Sequence, residues 1–221
     1  MTVITVADLR NDYEVNVYLN CSTKYLGELG FTEHGQRHAN IVAERAAQVL
    51  ADLGYSEREC QLAAISGYLH DIGNMVNRYN HGGMGAAMAY PILTRLQMPP
   101  EEIAMVLAAI GNHEEERGNA VNSTAAALIL ADKSDVYRSR VTNTDFAKFE
   151  IHDRVNYAAE KSSLIVNKEL RTVTLQLSID TQICPVMEYF EIFLVRMIMC
   201  RRAADFLDCQ FRLVINGIQL L

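Results

Sequence analysis

Histidine and aspartate side chains stand at the ends of apolar helical stretches in this 221-residue sequence. The adjacent pair His70–Asp71 closes the apolar part of GYLHDIGN, and His38 lies four residues before Val42 on the apolar face of an earlier stretch. His113 and Asp132 follow two further apolar stripes at helical spacing. Imidazole and carboxylate groups bind divalent metals and transfer protons near neutral pH. Their recurrence at such positions indicates a shared polar site.

Burial of these groups without partners would destabilise the fold. One histidine on an apolar face is usually a hydrogen-bonded core residue, but several unpartnered imidazoles and two carboxylates would cost several kcal/mol each. A metal ion satisfies such groups together, and adjacent residues, about 100° apart on a helix, can both reach an ion near the helix end. The row below His70 consists of Ala63, Ser66 and Gly67, which would let another backbone or an ion with its ligands approach closely. We therefore expect a metal site where these helices meet.

The ordered residues resemble the signature of the HD-domain superfamily of metal-dependent phosphohydrolases. The match begins with His38, continues with the pair in LHDIGN and ends with Asp132 in LADKSD. His81 in HGGMGA and His113 in GNHEE fall between them, which resembles the dinuclear branch of the superfamily. The resemblance covers roughly residues 30–140 and implies a helical bundle that hydrolyses phosphate esters or anhydrides. The implied metal ligands are His38, His70, Asp71, His81, His113 and Asp132.

The implied centre contains histidines and carboxylates and no thiolate. Such a set suits two divalent transition-metal ions, with Fe or Mn preferred and Co, Zn or Mg as alternatives. Asp71 has two carboxylate oxygens, so we predict that it bridges the two ions and is the catalytic carboxylate. Two divalent ions leave a local positive charge that attracts phosphate and lowers the pKa of a bound water. We expect the substrate to be a nucleotide or a related phosphorylated metabolite.

Substrate contacts follow less directly from the sequence. Some branches of the superfamily carry a phosphate-binding lysine shortly after the HD pair, where this chain has Asn74. The cations that could replace it are Lys133, Arg78, Arg138 and Arg140. We select Lys133 and His34 as substrate contacts, although a histidine at a helix start could equally face solvent. A second HD dipeptide, His152–Asp153 in EIHDRV, is placed outside the site because no comparable spaced ligands surround it.

Other functional classes remain open at this point. The same order of six ligands resembles the mixed-valent diiron oxygenases of the HD superfamily, so the ligands alone do not separate hydrolysis from oxidation by O₂. A regulatory HD module is disfavoured because such a module would be expected to lack ligands. A structural metal site is disfavoured because structural zinc is usually closed by four ligands rich in Cys.

The elements that must position these residues are predicted to be helices up to residue 160. Apolar spacing, capping residues and glycines delimit them. The predicted helices are Ala7–Glu28, His34–Leu53, a third from the Ser56 capping box to Asp71, a fourth after Gly82–Gly83, a fifth from Pro100 to Asn112 and a sixth, capped by Ser123, from Ala125 to Tyr137.

The pattern changes to alternation beyond residue 160. In RTVTLQLSID, Val173, Leu175, Leu177 and Ile179 share one face, which predicts a half-buried strand. SSLIVN is its predicted hairpin partner, Pro185–Leu207 a long helix and FRLVINGIQ a last strand. The expected fold is thus mainly α, with an HD-type helical domain (residues 1–160) followed by a small β-β-α-β unit (residues 161–221). The long helix carries apolar residues around more than one stripe, and we expect it to pack on the helical domain or to form a homodimer interface.

Composition excludes several other classes. The net charge of −7 disfavours non-specific binding to nucleic acid or acidic lipid, since both require excess Lys and Arg. The 5 cysteines include no CxxC pair, which favours reduced thiols. The N-terminus lacks a basic start with a long apolar run, and no segment is apolar over the roughly 18 residues that a membrane helix needs. We predict a cytoplasmic protein that does not associate with membranes.

Overall fold

The computed structural model describes residues 3–115, 118–143 and 145–221, and this chain is helical up to residue 158. The helices of this part are α1 (Val6–Arg10), α2 (Tyr13–Glu28), α3 (Gln36–Leu53), α4 (Glu57–Leu69), α5 (His81–Arg95), α6 (Pro100–Gly111), α7 (Ser123–Lys133) and α8 (Ile151–Ala158). Short 3-10 turns occupy Ile72–Met75, Arg138–Arg140 and Phe146–Lys148. Among the described residues no helix combines the length and hydropathy needed to cross a bilayer.

A small sheet with one long helix completes the chain. Its elements are β1 (Ala159–Asn167), β2 (Thr172–Ile179), α9 (Val186–Phe206), β3 (Gln210–Ile215) and β4 (Ile218–Gln219). The strands lie in the order β1-β2-β3-β4, with β2 and β3 parallel and joined through α9, and with antiparallel pairs on either side. The predicted fold class, mainly helical with a small C-terminal sheet unit, is confirmed.

The single last strand of the prediction was wrong. Asn216 and Gly217 have φ angles of 51° and 81°, and they reverse the chain between β3 and β4. An Asn-Gly pair favours this left-handed turn conformation because both central residues of a tight hairpin need positive φ. The C-terminal unit is therefore β-β-α-β-β.

Several helix boundaries also differ from the prediction, because local capping decides them. The side chain of Asp12 accepts a hydrogen bond from Val15 N at 3.1 Å, so the predicted first helix divides into α1 and α2. Extended backbone at Gly35 starts α3 after His34.

Helix α7 is capped by Asn122 rather than by Ser123, because the Asn122 side chain accepts a hydrogen bond from the backbone N–H of Ala125, the third residue of the helix. At the other end, α4 ends at Leu69, so the HD pair follows the helix instead of lying in it, and α7 ends at Lys133 instead of Tyr137.

The hydrophobic core is continuous between the helical part and the sheet. One cluster of buried residues joins α3 and α7 to the inner face of β2, where Val173, Leu175 and Leu177 lie, and to α9. The predicted inward face of β2 is therefore confirmed. Helix α7 contacts α3, α4, α6 and α9, and residues 124–133 are all buried. A second cluster fills the space among α1 to α6.

Close backbone contact brings the HD pair to its neighbours. A Cβ atom on Gly67 of α4 would lie 2.8 Å from both the Cα and the N of Ala43 in α3. A Cβ on Gly73 would lie 2.0 Å from the carbonyl oxygen of His81 at the start of α5. The small residues near the HD pair thus let α3 and α5 approach it, as the sequence predicted for this row.

Candidate metal centre

The six residues of the ordered set lie together at the ends of five helices. His38 is in the first turn of α3, the pair His70–Asp71 directly follows α4, His81 begins α5, His113 follows α6, and Asp132 is in the last turn of α7. All six side chains belong to buried residues, with exposed fractions between 0% and 9%. The convergence predicted from separate apolar stripes is therefore present in the structure.

Asp71 divides the cluster into two groups of donor atoms. On one side, its Oδ2 lies 3.7 Å from His38 Nε2 and 3.4 Å from His70 Nε2. Asp132 Oδ1 faces the same two nitrogens at 3.3 and 3.6 Å. On the other side, Asp71 Oδ1 lies 3.4 Å from His81 Nε2 and 4.0 Å from His113 Nε2. Each carboxylate oxygen of Asp71 thus faces a different pair of histidines.

The other nitrogen of each imidazole is held by an oxygen acceptor. Nδ1 of His70, His81 and His113 lies 2.8, 2.9 and 2.6 Å from the backbone carbonyls of Gly67, Arg78 and Ile110. A backbone carbonyl can only accept, so Nδ1 carries the hydrogen in each of these rings. Nε2 is then the nitrogen that points into the cluster and is available to a metal ion, as is typical of metal-binding histidines.

Three donor atoms of the cluster have no hydrogen-bond partner among the residues that the structure describes. These are His38 Nε2, His70 Nε2 and Asp71 Oδ2, all fully buried. An unsatisfied buried polar atom costs about 1–3 kcal/mol, and a divalent metal would satisfy all three. The two histidine nitrogens lie 3.3–3.7 Å from Asp71 Oδ2 and from Asp132 Oδ1. Ligands on one ion with bonds of about 2.0–2.2 Å have similar separations. The residues present therefore fit divalent metal ions.

Electrostatics in the cluster favours the charged carboxylates. Burial raises the pKa of Asp71, but the neighbouring His70 outweighs it and holds this pKa well below its usual range. Lys133 does the same for Asp132. Burial opposes the protonation of His70, yet the two carboxylates raise its pKa to about 10. A bound metal would take the place of a proton on this histidine.

Two residues beside the ligand set were missed by the sequence interpretation. Asp135 Oδ2 lies 2.7 Å from His38 Nδ1 and accepts a hydrogen bond from Arg37 at 3.0 Å. Asn74 Nδ2 donates to Asp71 Oδ1 at 2.7 Å. Asp135 stands three residues after the last predicted ligand in LADKSD, which was the available signal. Asn74 orients the carboxylate of Asp71.

A pocket of about 320 Å³ opens onto the cluster. It is lined by Phe31, His34, Asp71, Arg78, Tyr79, Asn80, His81, Glu114, Glu115, Asp132, Lys133, Arg140, His152 and Arg196. His34 is 7% exposed and borders the pocket, so its alternative placement in solvent was wrong. Lys133 is also in the lining, with Nζ 2.5 Å from Asp132 Oδ2. Both selected substrate contacts thus border the pocket.

Two of the three remaining candidate cations line the pocket, and so does one residue of the second HD dipeptide. Arg78 and Arg140 line the pocket, whereas Arg138 donates to the carbonyl of Tyr157 at 2.8 Å and lies over its ring. His152 borders the pocket, contrary to its placement outside the site in the sequence interpretation. Its neighbour Asp153 forms a capping box at the start of α8. All 6 histidines of the chain therefore lie in the cluster or the pocket wall.

No protein-family model matches the chain, but it is similar to individual known proteins. The uncharacterized protein MJ1020 of Methanocaldococcus jannaschii is 30% identical over 155 residues, which cover 60% of this chain. The matched region also covers 60% of the length of that archaeal protein. A crystal structure of a predicted HD superfamily hydrolase from an uncultured Thermotogales bacterium has 22% identity and a TM-score of 0.43, covering 61% of this chain and 75% of the other.

Proposed function

We propose that this protein is a metal-dependent phosphohydrolase of the HD superfamily, which cleaves a phosphate ester or anhydride at a dinuclear centre. The observation that carries the proposal is the position of Asp71, whose two oxygens face two separate pairs of histidine Nε2 atoms. From the distances between donor atoms, the ligands would be His38, His70, Asp71 and Asp132 for one ion, and Asp71, His81 and His113 for the other.

The chain's own residues prepare this centre before any ion binds. Asn74 fixes Asp71 in the bridging orientation, and Asp135 holds His38 with Nε2 directed into the cluster. Buried helix ends exclude most water from the donor atoms. When bound, divalent ions supply positive charge for a phosphate and lower the pKa of a coordinated water. Asp71 is the residue on which both ions would depend, so we assign it the catalytic role.

The charge of the pocket supports an anionic substrate. Its described lining contains the cations Arg78, Lys133, Arg140 and Arg196. Apart from the two proposed ligand carboxylates, the acidic residues in this lining are Glu114 and Glu115. Four cations and four carboxylates line the pocket, so the wall has an excess of positive charge once metal ions neutralise Asp71 and Asp132. Such a wall favours a phosphorylated compound over a neutral one.

The finer assignments are part of the same proposal. We assign Fe or Mn as the ions, because nitrogen and oxygen ligands without thiolate suit these metals. A nucleotide or a related phosphorylated metabolite is the proposed substrate class, since a pocket of about 320 Å³ has the size of a small-molecule site. We also propose that the chain acts as a homodimer, through the exposed part of α9.

The metal centre is tested by counting bound ions. Protein purified anaerobically and loaded with Mn or Fe should contain two ions per chain by elemental analysis. The double variant His81→Ala plus His113→Ala removes the ligands of one ion and should retain one. A wild-type count of one that the double variant leaves unchanged would contradict the dinuclear arrangement.

The reaction is tested by a phosphate-release screen over nucleotides and sugar phosphates. Asp71→Ala should abolish release from any substrate found while circular dichroism shows unchanged helix content. The matched control is Asp205→Ala, an exposed aspartate on α9, which should keep full activity. If the metal-loaded protein instead consumes O₂ with an organic substrate and releases no phosphate, the oxygenase alternative is correct.

A further inference from the structure

The C-terminal unit contributes a charged side chain to the wall of the metal pocket. Arg196 lies on α9, and its side chain is 18% exposed and borders the pocket together with Asp132 and Lys133. The sequence interpretation assigned the unit packing or dimerisation and no residue of the site. The position of Arg196 gives the unit a direct connection with the pocket.

Two neighbours contact the guanidinium group of Arg196, one through an ion pair that lacks hydrogen-bond geometry and one through a cation–π contact. Its Nε lies 2.6 Å from Glu115 Oε1, and its central carbon lies 4.3 Å from the centroid of the Phe193 ring. Phe193 is itself buried in the core shared by α7, α9 and the sheet. In the described part of the chain, neither Nη atom of Arg196 has an ion-pair or hydrogen-bond partner. A held guanidinium with its fork of donors available binds phosphate oxygens well, because little side-chain entropy is lost on binding.

Glu115 links Arg196 to the metal cluster through a chain of alternating charges. Its Oε1, which pairs with Arg196, also lies 3.6 Å from Lys133 Nζ. Lys133 Nζ in turn lies 2.5 Å from Oδ2 of Asp132. Arg196 is therefore placed on the same side of the pocket as the cluster and retains donors for a ligand.

We propose that Arg196, aligned by Glu115 and Phe193, binds a second phosphate group of the substrate, beyond the phosphate that reacts at the metal centre. The substrate would then be a compound with at least two phosphate groups. This inference depends on the proposed function for the position of the reacting phosphate. Binding of the second phosphate depends on Arg196 and its contacts with Glu115 and Phe193, and it does not require hydrolysis.

The test compares the binding of orthophosphate and pyrophosphate to manganese-loaded protein by titration calorimetry, with bound metal measured after each titration. The wild-type protein should bind pyrophosphate more tightly than orthophosphate. Arg196→Gln should weaken pyrophosphate binding by at least about tenfold, as expected for loss of a charge-assisted hydrogen bond, and should change orthophosphate binding much less. Arg196→Lys keeps the charge without the fork and should give an intermediate affinity.

Two further variants separate this subsite from general charge effects. Arg201→Gln removes an exposed arginine of the same helix and should leave both affinities unchanged. Glu115→Gln removes the competing negative charge while keeping a hydrogen-bond acceptor, so pyrophosphate should bind more tightly. Thermal unfolding of each variant verifies that it is folded.

The outcomes distinguish the subsite from the proposed function. Equal pyrophosphate affinities for wild type and Arg196→Gln, or wild-type protein that binds pyrophosphate no better than orthophosphate, would overturn the subsite. A protein that binds pyrophosphate in an Arg196-dependent way but hydrolyses no phosphate compound would keep the subsite and refute the hydrolase. Normal hydrolysis with no effect of Arg196→Gln on either affinity would refute the subsite and keep the hydrolase.

Discussion

His38 is held in the cluster by a carboxylate outside the predicted ligand set. Its Nδ1 lies 2.7 Å from Asp135 Oδ2, and both residues are buried. Burial raises the pKa of Asp135, but the bond to His38 and the charge of Arg140 keep this pKa far below its usual range. Asp135 is thus a permanent anion that orients the ring and increases the basicity of Nε2.

The residue-scale prediction concerns this carboxylate. Asp135→Asn keeps an oxygen acceptor for His38 but removes the charge, so metal affinity should fall by about 10- to 100-fold. Competition with a chromophoric chelator measures the change. Asp205→Asn, at an exposed position, is the control and should bind metal as the wild type does. Equal affinities for the two variants would mean that Asp135 only supports the fold.

At the scale of the elements, the site depends on how closely α3, α4 and α5 approach one another. A side chain on Gly67 would meet the backbone of α3, and a side chain on Gly73 would meet the backbone carbonyl of His81. A larger residue at either position would have to displace backbone, which cannot shift locally as a flexible side chain can. These contacts position the helices that carry the ligands of both proposed ions.

Gly67→Ala should destabilise the protein by about 1–3 kcal/mol, as expected for overpacking against backbone atoms. Urea unfolding followed by circular dichroism measures the change. The matched control is Gly27→Ala in α2, where a Cβ would meet no atom within 4 Å. There the loss of a flexible glycine should leave the stability unchanged or raise it by about 0.4–1 kcal/mol. A loss at Gly67 no larger than that at Gly27 would contradict the close packing of α3 on α4.

A second element-scale prediction concerns the ion pair between α4 and α6. Arg58 Nε donates to Glu102 Oε1 at 2.7 Å, and a second bond joins Nη2 to Oε2. The hydrogen bond from Arg58 lowers the pKa of Glu102. A lowered pKa in the folded state means that this stabilisation is complete above the ordinary glutamate pKa of about 4.3 and is lost as the pH falls through the lowered value.

Glu102→Gln should therefore reduce the free energy of unfolding by about 1 kcal/mol at pH 7. The difference from wild type should shrink as the pH is lowered below about 4, because the wild-type carboxylate is then protonated. Glu101→Gln is the matched control, since it removes an exposed charge in the same first turn of α6. A deficit at Glu102 that persists unchanged in acid would show that the charge of the pair contributes nothing.

At the scale of the whole molecule, the sheet and α9 share one core with the helices that hold the ligands. Phe193, Met197 and Met199 of α9 are buried in this core, so α9 packs on the helical part. Met187, Leu194 and Val195 remain 68%, 52% and 54% exposed. Leu194 and Val195 follow Met187 by seven and eight residues, which is about two turns of the helix, so the three side chains form one outward stripe.

The proposed homodimer uses this stripe. Leu194→Asp places a charge in it and should give a monomer of 24.8 kDa in light scattering at micromolar concentration, whereas wild type should have twice this mass. Tyr90→Asp, at an exposed position of α5, is the control and should remain dimeric. A monomeric wild type would refute the interface. Point substitution is the sharper test, since deletion of residues 161–221 would uncover the buried helix α7.

The sequence alone determined the fold class and the members of the cluster. Apolar spacing defines helices, and a histidine or aspartate that continues an apolar stripe must find a partner in the interior, which made His38, His113 and Asp132 visible. The alternation in β2 likewise fixed which face is buried, because the side-chain period of a strand is two residues. These features are local, so a single segment carries each of them.

Only the tertiary structure decided which histidines face each oxygen of Asp71 and what surrounds this residue. Its oxygens face two histidine pairs because α3, α5 and α6 approach from different sides, and no sequence spacing gives that angle. Asp135 and Asn74 acquire their roles from neighbours brought close by packing. Arg196 lies 63 residues after Lys133, yet both pair with the same oxygen of Glu115. The sequence contains no periodic pattern that identifies charged residues of this kind, since their partners depend on how α9 packs on α7.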